Sequence, residues 1–136
     1  MSLANETRGE LSLTLEGVEY GLRPSHEAQE AIETALGKSC EMLALAADNG
    51  RMTLHENATV AGAFLRAWGV QVGDKTVAAF NDKRLKAVIV EEGSMLVSRR
   101  LGIALYMAIS GGVTATGEVK PVTTTSPSPA PDVAAA

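Results

Sequence analysis

A mostly helical α+β domain, with an N-terminal β-hairpin packed on a small bundle of about four to five helices and a disordered C-terminal tail, is predicted by three features. Apolar and polar residues alternate from Leu11 to Leu22, which is strand periodicity. From Ser25 to Ile109 apolar residues recur at helical spacing, punctuated by capping residues. After Gly112 the chain becomes rich in Pro, Thr and Ala. With 136 residues there is room for one domain and little more. The expected organisation is a flexible N-terminus over 1–7, a single hairpin-plus-helical domain over 8–112, and a tail over 113–136.

The hairpin specifies its own register. With Glu16-Gly17 as a two-residue turn, Leu15 faces Val18, Leu13 faces Tyr20 and Leu11 faces Leu22, so all six apolar residues fall on one side. A lone hairpin is marginal in water, so that side must pack on something. Pro24-Ser25 ends the second strand and opens a helix, with Ser25 as N-cap and Gly37 as stop. Ala28, Ile32, Ala35 and Leu36 form its apolar stripe.

A short helix is expected from about Ser39 to Ala47, followed by the Asp48-Asn49-Gly50 turn signal. Thr53-Leu54-His55-Glu56 has capping-box spacing, in which the Thr oxygen and the Glu carboxylate satisfy orphan amides reciprocally. It opens the clearest helix, with Leu54, Ala58, Ala61, Leu65 and Trp68 on one stripe. Gly69 is read as its end and Val70 to Gly73 as a connection. Asp74 begins a helical region to about Glu92, interrupted near Asn81-Asp82, and a last helix runs from about Ser94 to Ile109. Beyond it, Val113 to Ala136 carries too little apolar surface to offset the entropy of ordering, and an extended, flexible tail is expected.

Composition excludes several functions. The net charge is −4 and the only adjacent basic pairs, Lys83-Arg84 and Arg99-Arg100, are isolated from each other, the first directly after the acidic Asp82, so no concentrated basic face is present and no nucleic-acid partner is expected. No run reaches the ~18 apolar residues of a membrane span, and the N-terminus has no secretory pattern. The cytosol is the expected compartment. The single cysteine, Cys40, excludes an intramolecular disulfide and reads as a small buried apolar residue. His26 and His55 stand far apart with no second ligand at metal spacing, and no glycine-rich phosphate cradle follows a strand. No catalytic residue, metal ligand or cofactor site is predicted, and the chain is read as a non-enzyme.

What remains is an aromatic cluster. Phe64, Trp68 and Phe80 are three of five aromatic residues in the chain and lie within seventeen positions. They suit a core or a partly exposed docking groove that accepts an amphipathic helix. On the second reading Phe64, Leu65, Trp68 and Phe80 are the partner-binding residues.

One stretch is more specific. Arg8-Gly9-Glu10-Leu11, the alternating strand through Tyr20, Leu22-Arg23-Pro24-Ser25, Glu27-Ala28, Ile32-Glu33 and Leu36-Gly37-Lys38-Ser39 resembles the opening of a family of phage and gene-transfer-agent tail assembly chaperones. The same family is also labelled a tail tube protein. The resemblance extends more loosely to Gly112, through Phe64-Leu65-Arg66-Ala67-Trp68-Gly69 and the final apolar helix. It implies a protein that binds the tape-measure protein during tail assembly, that can engage tail tube subunits, and that is absent from the mature particle. It leaves homo-oligomerisation open. Two alternatives stand beside it: a structural tail tube or connector component, and a small cytosolic adaptor or regulatory domain. A tube subunit calls for many alternating strands, and only one hairpin is legible here.

Overall fold

The computed structural model describes residues 11–121; the expected flexible N-terminus over 1–7 lies outside them. Two strands and six helices follow one another: β1 (Leu11–Leu15), β2 (Val18–Leu22), α1 (His26–Leu36), α2 (Cys40–Asp48), α3 (Leu54–Val72), α4 (Lys75–Ala78), α5 (Asp82–Glu92) and α6 (Ser94–Ile109). The architecture is α+β and mostly α.

β1 and β2 pair antiparallel in the register that alternation dictates: Leu11 with Leu22, Leu13 with Tyr20, Leu15 with Val18. The turn is of the kind in which both central residues have positive φ, 52° at Glu16 and 78° at Gly17. Glycine adopts that conformation freely, whereas glutamate does so at a cost. Glu16 is held there by α5: its backbone N–H donates to Glu92 Oε2 at 2.7 Å, and its carboxylate accepts from Arg84 Nη2 at 3.0 Å. The face occupied by the apolar residues is not the only covered one. Leu13, Leu15 and Leu22 are buried, yet so are Ser12 and Gly21 on the opposite face, while Val18 is 40% exposed. Arg100 of α6 explains Ser12, donating from Nε to its carbonyl and from Nη2 to its hydroxyl at 3.1 and 2.7 Å. Trp68 of α3 explains Gly21, as its indole lies against that residue.

Helix starts follow the capping residues. Ser25, Ser39, Thr53, Asp74 and Asn81 each accept backbone N–H bonds through their side chains, and Thr53 with Glu56 forms the complete capping box. Asn81 explains why the helical region after Asp74 is two helices, α4 and α5. In α1 Ala28 and Ile32 are buried while Ala35 is exposed, so its inward stripe is narrower than the spacing suggests.

α3 organises the whole. Positions 56–65 are buried without interruption, because α1, β2, α4, α5 and α6 surround it. Such a helix is not amphipathic, and its Ala and Gly residues let neighbours approach on every side. Gly69 does not end it, contrary to the sequence reading. α3 continues to Val72 and closes at Gly73, whose φ is 77°. Gly69 serves close approach instead: a Cβ there would lie 2.4 Å from the backbone nitrogen of Ala78 in α4.

The C-terminal boundary also differs from expectation. Residues 113–121, assigned by composition to the tail, fold back on the domain. Val113 bridges Val119, Lys120 N–H donates to the Gly112 carbonyl, and the turn between them reaches the start of α1. There the Ala115 carbonyl accepts from the His26 N–H at 2.8 Å and the Thr116 carbonyl from Arg23 Nε at 3.0 Å. The first free N–H of α1 is thus satisfied by tertiary contact, which composition does not register. The rest of the expected tail lies outside the described residues.

Candidate functional site

The four residues predicted to bind a partner are packed inward. Phe64 and Leu65 have no exposed surface and Trp68 retains 6%. Phe80, partly buried, packs against the same core. α3 directs Phe64, Leu65 and Trp68 toward the hairpin and neighbouring helices. Tyr20 of β2 completes the cluster, meeting Trp68 edge-on at 6.5 Å between ring centroids and Phe80 at 5.4 Å. Arg66 secures the Phe80 segment, donating from Nη1 to the Phe80 carbonyl at 2.9 Å and to Asp82 Oδ1 at 2.8 Å. Of the two readings of this cluster, the geometry matches the core. The assignment of Phe64, Leu65, Trp68 and Phe80 as a docking groove is therefore corrected: spacing placed them together, but could not say that β2 and α4 close over them.

Apolar surface is found instead on α2 and α6, which pack against each other. Gly102 of α6 faces Ala47 of α2 so closely that a Cβ on Gly102 would lie 3.1 Å from the alanine methyl. On α6, Met95, Arg99, Gly102, Tyr106 and Ile109 recur at helical spacing and form one stripe. Because Gly102 belongs to that stripe and meets Ala47, the stripe flanks α2. Met95 is 68% exposed and Tyr106 63%, while Met42 and Leu45 on the outer side of α2 are 58% and 63% exposed. Met42, Leu45, Ala46, Asn49 and Arg51 line a shallow open depression of about 530 Å³. Leu96 and Ile103, on another side of α6, are 59% and 50% exposed. One sequence signal could have found this face. The run SMLVSRRLGIALYMAI is apolar nearly all round, more than a helix with one buried side requires.

The titratable groups occupy structural positions. Cys40 is buried, and burial followed by the nearby Glu33 carboxylate pushes its thiol up to about 12, so it is held as the neutral thiol. Glu56 is 6% exposed, and burial alone would raise it. Hydrogen bonds from the Lys38 ammonium and from the backbone and hydroxyl of Thr53 outweigh burial and hold it below its ordinary value of 4.5. Ser98 donates to Asn57 Oδ1 at 2.7 Å between α6 and α3. His26 and His55 are exposed. Among the described residues no group of three His, Cys, Asp or Glu side chains could hold a metal ion, and no helix is long and apolar enough to cross a membrane. A second depression of about 370 Å³, between α1, α3 and the 113–119 turn, includes His26 and Arg66, the latter already committed to Asp82.

Comparison with protein-family models, with curated proteins and with solved structures returned no match for this chain.

Proposed function

We propose that the protein is a non-catalytic tail assembly chaperone, one that holds the long helical tape-measure protein in the host bacterial cytosol until tube subunits cover it. The observation that carries this reading is a closed core beside an uncovered apolar face. The aromatic cluster is used up in the core, while Met42, Leu45, Met95 and Tyr106 stay in solvent on α2 and α6. A face formed by two packed helices suits an amphipathic helix laid along it, and methionine side chains adapt to partners of irregular shape. The named partner comes from the resemblance of residues 8–39 to tail assembly chaperones. Two strands in a largely helical domain favour that role over a tube subunit, which closes rings through extended sheet.

Co-expression with the tape-measure protein of the same genome tests the reading. The expected result is that the partner becomes soluble and co-purifies. A partner equally insoluble with and without this chain contradicts it. Mass spectrometry of purified particles separates the structural alternative: a chaperone is absent or substoichiometric, whereas a tube or connector component is abundant.

A further inference from the structure

α5 and α6 meet at a single residue. Gly93 closes the first helix, donating to the Ile89 carbonyl at 2.9 Å, and opens the second, accepting from the Val97 N–H at 3.1 Å. Both bonds have the four-residue span of an uninterrupted α-helix. The break comes from the dihedrals of Gly93 alone, φ 102° and ψ 108°, a region that residues with a side chain rarely enter. No side-chain cap holds the first turn of α6 in place.

Without the break, 82–109 is one helix, and its apolar residues fall into order. Leu85, Ile89, Leu96 and Ile103 follow at four, seven and seven residues along one stripe. Val90, Val97, Leu101 and Leu105 follow at seven, four and four along another, on roughly the opposite side. The first stripe is buried in α5 and exposed in α6, at Leu96 and Ile103; the second is buried in α6 and exposed in α5, at Val90. Each helix thus carries exposed residues that prolong the buried stripe of the other.

Straightening lifts α6 off its own body. It uncovers Val97, Leu101 and Leu105, and takes the Ser98 hydroxyl from Asn57 Oδ1, to which it donates at 2.7 Å. The surface shaped for that face of α6 is the one it left, so the cover that fits it is the same surface on a second copy. We infer that Gly93 is the hinge of an exchange in which two copies of this chain trade residues 94–121, each α6 packing on the other copy's α2 and α3. Ser98 then donates to Asn57 of the second copy and Arg100 to its Ser12, every contact being remade twice about a two-fold axis. Val90 comes under the second copy's body and Leu96 under its own, because each lies two turns along a covered stripe. A one-residue connection favours such a trade, being too short to relax. The α2–α6 face is rebuilt in each half, so the inference does not depend on the proposed partner.

Light scattering on size-separated full chain tests it, with circular dichroism to confirm helicity. The pair Ala47→Cys and Gly102→Cys tells an exchanged dimer from any other, because a Cβ at Gly102 lies 3.1 Å from that of Ala47, within a few tenths of an ångström of disulfide range. In the exchanged dimer those cysteines join two chains; in any other species they join one chain to itself. With the natural hinge, refolding at millimolar concentration is expected to give monomer and a minor dimer that oxidation makes covalent. Gly93→Ala introduces no clash, since a Cβ there meets nothing nearer than 3.8 Å, but it strains the break and favours the straight helix in both copies. The ratio of dimer to monomer is expected to rise at least about tenfold. Inserting Gly-Ser-Gly after Gly93 is expected to abolish the dimer. A Gly93→Ala chain that folds as a monomer at every concentration overturns the proposal, as does a dimer whose cysteines close within one chain. Should Gly93→Ala not fold, the natural hinge decides: no covalent dimer after refolding at millimolar concentration overturns it equally.

Discussion

The indole of Trp68 rests on the backbone of Gly21, so closely that a Cβ at Gly21 would fall 2.1 Å from Nε1 of the indole. That contact joins α3 to β2 and leaves no space for any other residue at position 21. Gly21→Ala is expected to lower stability by about 1–3 kcal/mol through overpacking. Trp68→Ala, which opens a cavity beside Tyr20, is expected to cost about 3–5 kcal/mol. Urea denaturation followed by circular dichroism checks both. Little change in either variant would show that the hairpin is not seated on α3 as described.

The Glu56 carboxylate is held below its ordinary value in the fold by Lys38 and Thr53, against the opposing effect of burial. Its contribution to stability is present above the unfolded value near 4.5, and is lost as pH falls through the lower folded value. Stability of the wild type should therefore drop on acidification through that window. Glu56→Gln, which keeps the shape but not the charge, should be less stable at neutral pH and should show a shallower acid loss. Equal slopes in the two proteins would place the acid sensitivity elsewhere.

Cys40 is buried with its thiol pushed up to about 12. A thiol-specific reagent at mildly alkaline pH should label native protein far more slowly than unfolded protein. The native rate should follow denaturant as global opening does. Rapid labelling of the folded chain would contradict the burial of the α2 start.

The fold-back of residues 113–121 yields a truncation test. A chain ending after Pro121 keeps the carbonyls of Ala115 and Thr116 that receive His26 N–H and Arg23 Nε. A chain ending after Gly112 loses both and uncovers the surface beneath Val113, which is 9% exposed. The shorter chain should be less stable by about 1–3 kcal/mol, as a helix start loses its partner and an apolar contact is removed. Identical thermal midpoints would show that the segment adds nothing to the domain.

These contacts also mark how far the sequence could be read. Alternation from Leu11 to Leu22 determines which residues pair across the hairpin, because any slip sends leucines to the wrong face. The Thr53–Glu56 spacing marks the start of α3, because the capping bonds are local. Long-range packing is less visible. Gly69 resembles a helix stop in one dimension and is a close approach of α4 to α3 in three. The tail composition around Thr114 to Gly117 is polar and small, yet its carbonyls are what the α1 start and Arg23 require. Helical spacing put Phe64 and Trp68 on one helix, and nearness in sequence added Phe80, without telling whether β2 would lie over them. The exposed α2–α6 face was the hardest to see, since Met42, Leu45 and Tyr106 differ from core residues only in which way their helices are turned.

The central claim is that the aromatic cluster builds the core while α2 and α6 receive a helical partner. Calorimetric titration of a synthetic amphipathic segment of the tape-measure protein into wild type and into a Leu45→Glu, Tyr106→Glu double variant tests it most directly. The account predicts saturable binding to wild type and at least about a tenfold loss in the variant, with helicity unchanged, since both positions are exposed. Undiminished binding by the folded variant, or none by wild type, would contradict it.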